Sequence, residues 1–390
     1  MSTSEAAQQE SPAHPWLKDF LLTWLSRFGI FLAHHVTRPL LPLYLITFGA
    51  SSTVIGAVMA VFTVTAIVMR VPVGLYIDRL GRKPFLLYGV ALFGAGNLGY
   101  WWAPSILLIL PCRVLHGLGW SGCTTAVSTL AADIVPASRR GDLMGYAGLA
   151  STLASALGPV LGFALFHRFG FPGAFLGAGA LLIISFISAI PVAEPKLAKS
   201  PAAHAARFLD TIMVKDALNP AIGVAFLSFG HGGILTFLAI QALKIGLANP
   251  GIWFGIYAVA MLVSRPIAGP ISDKISRQAA IIPGLILNIV GILMLAFATT
   301  PTALIAAAIV AGLGTGAAQP ALMTLAVDQS STERRGQSLA QFQFFYDLGI
   351  GIGSLTLGAL LDLVNQSFLI MYLATAGVAL VGLWITWRRK

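Results

Sequence analysis

Runs of about twenty apolar residues follow one another along almost the whole chain, each long enough to cross the hydrocarbon core of a bilayer as a helix. Twelve can be marked, at 19–45, 53–77, 84–103, 106–132, 142–166, 172–192, 218–243, 250–272, 279–299, 303–327, 337–362 and 366–387. Within a bilayer the backbone must satisfy its own hydrogen bonds, so consecutive runs of this length leave helices as the regular structure. Composition agrees: 57% of residues are hydrophobic and only 10% charged, with a mean hydropathy of +0.84. A soluble domain carries about a quarter charged residues. The expectation is an all-α polytopic membrane protein.

A second constraint is an internal repeat. Arg70, Gly74 and Asp78 recur as Arg265, Gly269 and Asp273, an offset of 195 residues, half the chain. At the same offset Gly117 and Gly119 match Gly312 and Gly314, and TLAAD ending at Asp133 matches TLAVD ending at Asp328. A fixed-period repeat has to be settled before any fold is assigned. Twelve runs divide into six and six, which predicts two related six-helix bundles, 19–192 and 218–387, with residues 1–18 as a cytoplasmic tail. Residues 193–217 form a polar linker with an amphipathic patch at Phe208, Leu209 and Met213, expected to lie against the membrane surface.

The formal charge of +10 is spread over short loops rather than gathered on a soluble face, which argues against a nucleic-acid partner. The loops after the even-numbered runs hold most of the cations, Arg139, Arg140, Arg334 and Arg335 among them, and the other loops little beyond Arg168 and Lys244. The positive-inside rule then places both termini in the cytoplasm of a bacterial inner membrane. The first fifteen residues lack a basic n-region and cleavage site, so targeting is expected to fall to the first apolar run. Cys112 and Cys123 stand eleven residues apart on one run. On a helix that is about 16 Å, too far to bridge. Neither a disulfide framework, a metal site nor a cofactor is implied, and a monomer is expected.

The loop RVPVGLYIDRLGRKP carries Gly74, Asp78, Arg79, Gly81, Arg82 and Lys83 in a pattern that resembles the loop between the second and third helices of the major facilitator superfamily. That resemblance extends over essentially the whole chain and implies a twelve-helix secondary transporter. It implies that Asp78 meets the eleventh helix in a latch favouring the outward-open state, with Arg82 pairing with Asp133 and Arg277 with Asp328. The echo near Asp273 departs from the pattern, with Ser276 for the glycine and Gln278 for the last base. In the fifth run, Gly145, Gly158, Pro159 and Gly162 resemble the family's antiporter motif, which goes with export, although Ala154 and Phe163 replace two of its glycines.

Ionisable residues deep in apolar runs are costly unless they face water or a partner, and so point to a pathway. The first run has Arg27, His34 and Arg38 on one helical face, with His35 adjacent; the fourth has Arg113 and His116, the seventh His231, and the eleventh Asp347. Arg113 opens RVLHGLGWSG, which resembles the arginine-bearing fourth helix that family members use in proton coupling. Asp347, the one acid near mid-membrane, is the leading candidate for a carboxylate that takes and releases a proton. Arg70 and Arg265 are read as structural, snorkelling to the interface.

The family likeness implies a cavity lined by the first, fourth, seventh and tenth helices, and Phe28, Phe31, Trp120, Phe237, Phe342 and Phe345 are candidates for its apolar wall. The function expected is proton-coupled efflux of a small or amphiphilic compound. The alternative is symport or facilitated passage of an anionic metabolite, motivated by arginines outnumbering Asp347. An enzyme is not expected: GWSG lacks the spacing of a nucleophile elbow and no HExxH is present.

Overall fold

The structure, a computed structural model, describes residues 15–136, 139–194, 213–331 and 334–388. The expected tail and linker lie mostly outside the described residues, as do the Phe208–Leu209 patch and the side chains of Asp78 and Arg79. The helices are α1 (Pro15–Thr37), α2 (Leu40–Ile46), α3 (Ser52–Leu80), α4 (Arg82–Trp102), α5 (Ile106–Ile134) and α6 (Arg140–Ala189), then α7 (Leu218–Lys244), α8 (Gly251–Lys274), α9 (Arg277–Phe297), α10 (Pro301–Asp328), α11 (Arg335–Leu363) and α12 (Phe368–Arg388). Among the described residues every regular element is helical, and nine helices are long and apolar enough to cross a membrane.

Two boundaries differ from the twelve runs. The first run is divided at Arg38-Pro39, since proline offers no N–H to continue the ladder and the chain resumes as α2. The fifth and sixth runs are joined as one 50-residue stretch, α6, broken by non-helical torsions at Gly170 (φ 68°, ψ −170°) just before Pro172. A helical count therefore does not by itself give the number of passes.

The turn between α3 and α4 is a single residue, Gly81, at φ 98°, a left-handed conformation that favours glycine. The freed N–H groups at the start of α4 donate to the carboxylate of Glu194, Arg82 at 2.6 Å and Lys83 at 2.7 Å. The equivalent turn before α9 has Ser276 at extended torsions (φ −172°), its hydroxyl accepting from the Ala279 N–H at 3.1 Å. The departure from the repeat thus exchanges a cap supplied from elsewhere for a cap built in.

The packing repeats with the sequence. A β-carbon at Gly89 would meet the Cys123 backbone at 2.4 Å, and one at Gly284, 195 residues on, the Ala318 backbone at 2.7 Å. A β-carbon at Gly119 would meet the Phe93 N at 2.2 Å and one at Gly314 the Asn288 N at 2.3 Å; one at Gly117 would lie 2.8 Å from the Phe62 carbonyl and one at Gly312 2.5 Å from the Tyr257 carbonyl. These contacts seat α5 on α4 and α3, and α10 on α9 and α8, with the same register.

Two seams join the sequence halves, α3 against α11 and α6 against α8. Both are tight at one end: a β-carbon at Gly56 would lie 2.3 Å from the Ser354 carbonyl, and at Gly251, its repeat equivalent, 2.7 Å from that of Pro159. At this end the Asp362 carboxylate accepts from the N–H groups of Ser52 (3.0 Å) and Thr53 (2.8 Å) and from the Thr53 hydroxyl (2.6 Å). A carboxylate on the first turn of α3 satisfies orphan donors and complements the helix dipole. Toward the other end Gly74 and Gly269 have no neighbour within 4 Å of such a β-carbon. The seams are closed at the Asp362 end and part beyond Arg70 and Arg265.

Replacing Asp362 by Ala removes an ionised acceptor from four donors, the Gln366 amide included, and is expected to lower stability by about 2 kcal/mol. A fall in the thermal midpoint of the purified protein, with Asp362→Asn intermediate, checks this. An unchanged midpoint would show that the contact contributes nothing.

Candidate transport site

Asp347 lies twelve residues into the 29-residue α11. Its carboxylate accepts from Arg70 Nη2 at 3.0 Å across the α3–α11 seam, and from Gln343 Nε2 at 2.9 Å. The pair is largely shielded, with side-chain exposures of 30% and 19%. Arg70 is therefore not a snorkelling residue: its guanidinium turns into the seam, where the acid from a distant helix compensates it. Arg265 reaches across the α6–α8 seam to the hydroxyl of Thr152 at 3.3 Å. Both members of this second contact stand 195 residues from those of the first. The two seams are built alike, and one of them carries an acid where the other has a hydroxyl.

A recess beside the first seam gathers four of the residues singled out from sequence: His34 and Arg38 from α1 and its end, and Arg113 and His116 from α5. Tyr100 of α4, Met59, Phe62 and Thr63 of α3, and Ile350 and Ser354 of α11 complete its wall. Arg113 donates to the carbonyls of Val58 (3.1 Å) and Met59 (2.9 Å), and its guanidinium carbon lies 4.8 Å from the Phe62 ring centroid. His116 Nδ1 is 2.5 Å from the Tyr100 hydroxyl. His34 stacks on Trp120 with centroids 4.3 Å apart, and Phe31 meets Trp120 edge-on at 5.0 Å.

Other candidates lie elsewhere. His35 backs onto Gly158, whose β-carbon would meet it at 2.4 Å, so it belongs to the α1–α6 packing. His231 hydrogen-bonds the Tyr257 hydroxyl, which donates to Thr315 Oγ1 at 2.9 Å, where Asn288 also donates. That buried chain sits among α7–α10 and does not line the recess, although His231 is within electrostatic reach of Arg38. Arg27 donates to Ser151 and Ser128, each at 2.9 Å. Phe237 and Phe342 are buried in the packed interior, at 0% and 3% exposure, rather than on a cavity wall. The recess draws on α3, α4 and α11 where α7 and α10 were expected, because α11 presses against α3 at the closed end.

Of the loop residues, Arg82 Nε lies 2.9 Å from Asp133 and Arg277 Nε 2.7 Å from Asp328, with Arg277 also bonded to Asp273. These two bridges are repeat equivalents and join α4 to α5 and α9 to α10 within each half. Lys83 enters through its backbone N–H, bonded to Glu194. In α6, Gly158 and Gly162 admit α1, the latter 2.5 Å from the Val36 carbonyl, while the Pro159 carbonyl touches Gly251 and Gly145 has open space beside it. Glu194, Asp362 and the Arg70 partnership escaped sequence reading, since each works through a partner more than a hundred residues away.

The Major Facilitator Superfamily profile matches residues 20–247 and 220–390. An uncharacterised MFS-type transporter of Methanocaldococcus jannaschii is 25% identical over 89% of this chain and 92% of its own length. Multidrug resistance protein MdtG of Escherichia coli is 27% identical over 97% of this chain and 96% of its own. Among solved structures, a bacterial homologue of the human lysosomal transporter Spinster, inward-facing and unoccupied, superposes with a TM-score of 0.81 at 16% identity, covering 96% of this chain and 97% of that one. With repeat-related helix packing, two seams and a profile spanning nearly every residue, this multi-pass membrane protein belongs to the major facilitator superfamily and is a transporter, not an enzyme.

Proposed function

We propose that the chain is a proton-coupled secondary transporter that exports a small or amphiphilic compound by alternating access. The observation that carries this reading is the Arg70–Asp347 pair, one carboxylate held across the seam about which two bundles would rock. A proton on Asp347 cancels its attraction for Arg70, so protonation loosens α3 from α11, and proton release restores the contact. Likeness to a multidrug resistance protein and the small-residue face of α6 support export.

Twelve passes in two bundles, 19–192 and 218–387, fit the elements. A stretch of 50 residues would be about 75 Å long as one helix, against a core of about 30 Å, so α6 makes two passes meeting at Gly170. With α1 and α2 as one pass, an even count leaves both termini on one side, and the basic loops make that side the cytoplasm of the inner membrane. The Asp362 end then faces outward, and the structure corresponds to an inward-open state. Arg82–Asp133 and Arg277–Asp328, with Asp78 and its neighbours, hold the cytoplasmic loops for closure in the opposite state.

In proteoliposomes with internal pH followed while candidate compounds are added, the wild type should move protons against one class of compound, and Asp347→Asn should slow that coupling at least tenfold while substrate exchange persists. Protons moving with the compound rather than against it would make this a symporter. Flux indifferent to the gradient, or coupling intact in Asp347→Asn, would overturn the proton role. For the seam itself, Arg70→Asp with Asp347→Arg should recover substrate exchange that Arg70→Asp alone abolishes. Failure of the exchanged pair to recover would show that the contact is not an ion-pair pivot.

A further inference from the structure

The recess beside the seam is basic in a way its own walls do not explain. The Arg38 guanidinium makes no hydrogen bond or ion pair among the described residues, and that of Arg113 meets backbone carbonyls, the Met59 sulfur, the Tyr100 hydroxyl and the Phe62 face, none of them an anion. No carboxylate lines it. Asp347, within electrostatic reach of Arg38, is already committed to Arg70 and Gln343.

Two further polar atoms are orphaned there. His34 Nδ1 and His116 Nε2 have no partner, although the residues are only 4% and 1% exposed. A neutral imidazole has one donor and one acceptor. In the tautomer that accepts the Tyr100 hydroxyl at Nδ1, His116 Nε2 carries the proton and is a buried donor without an acceptor; in the other it is a buried acceptor without a donor. Unpaired buried donors are costly, and two arginines in a medium of low dielectric more so.

The repeat sharpens this. The positions 195 residues on from His34, Arg38, Arg113 and His116 are Phe229, Gly233, Ala308 and Ala311. Several glycines that set helix approach, Gly56, Gly89, Gly117 and Gly119 among them, are retained between the halves, whereas these four are not. Their polarity is therefore not needed to build the helical frame, which the second half assembles without it.

We infer that this recess is the binding subsite for the anionic head group of an organic substrate, a carboxylate or a comparable oxyanion. Arg38 supplies the unpaired guanidinium, Arg113 a second positive charge, and His116 a donor in the tautomer that carries its proton on Nε2, while the apolar body of the ligand lies outside, at the mouth. A guanidinium matches an oxyanion in charge and in its planar fork of donors. The space between the walls admits about one water-sized group, room for one oxygen of the head, and the body stays at the mouth.

The inference rests on reading the recess as the transport site, so it is tested by binding, separately from flux. The protein in lipid nanodiscs is dialysed to equilibrium against labelled benzoate, octanoate, phenylphosphonate and inorganic phosphate, with tetraphenylphosphonium as the cationic control. One of the organic anions should bind near one per protein and compete with the others. Arg38→Gln should weaken it at least tenfold and Arg38→Lys much less, with an unchanged thermal midpoint showing that the fold persists. Arg113→Lys, which keeps the charge and loses the fork, should fall between them.

Binding of tetraphenylphosphonium in place of every anion, or anion affinity indifferent to Arg38→Gln, would overturn the assignment. An anion that binds with this dependence but is not moved in proteoliposomes would leave the subsite standing and remove the transport reading. A cation moved by the protein while no anion binds would do the reverse.

Discussion

Helices in a bilayer gain little by hiding apolar side chains from one another, because lipid is as apolar as leucine. What binds them is close contact between backbones, and close contact requires small residues. Every main feature of this molecule depends on that requirement. At Gly89, Gly119, Gly284 and Gly314 a β-carbon would stand 2.2 to 2.7 Å from another helix's backbone, where no side chain can be accommodated without separating the pair. The large apolar side chains are left to face outward, as Trp102, Leu107 and Leu363 do at 77%, 74% and 81% exposure. The same rule closes one end of the molecule, through Gly56 on α11 and Gly251 on α6.

Because the frame is made twice, the repeat separates what builds from what acts. The glycine contacts at Gly56, Gly89, Gly117 and Gly119, the Arg82–Asp133 and Arg277–Asp328 bridges and the crossing arginines Arg70 and Arg265 recur at the 195-residue offset. Asp347 is matched by Thr152, and the histidines and arginines of the recess by Phe229, Gly233, Ala308 and Ala311. A residue lost from one half without disturbing its packing was not serving the packing there. On that ground the first half holds the polar recess and the second supplies the acid at its border.

The membrane class and the repeat were legible because they depend on length, hydropathy and spacing, which are local properties. So was the placing of His34, Arg38, Arg113 and His116 deep in apolar runs, whereas their gathering in one recess that His35 and His231 do not line depended on how the helices meet. Arg70 was misjudged because an arginine near a helix end has two outlets, the interface or an acid, and only the fold brings Asp347 within 3.0 Å of it. Phe237 and Phe342 were assigned to a cavity wall on residue type, while burial is set by which helices meet around them. The Asp362 contact was invisible for a related reason: its carboxylate serves the first turn of a helix some three hundred residues earlier.

The recess and the ion pair share two helices, and that shared position is what could couple them. Phe62 and Thr63 of the recess lie about two turns from Arg70 along α3, and Ile350 is one turn from Asp347 along α11. Under the proposed function, an occupant touching both helices would bear on the same seam that the ion pair holds, so that occupancy and the charge state of Asp347 would act on a single equilibrium between two arrangements of that seam. Two ligands that bias one equilibrium alter each other's binding by equal factors. The α6–α8 seam, with Thr152 in the acid's place, feels neither directly. The proposed proton exchange on one frame repeated twice would need such an inequality, for if both seams answered to the same proton, its binding would not favour one side of the cycle through this contact.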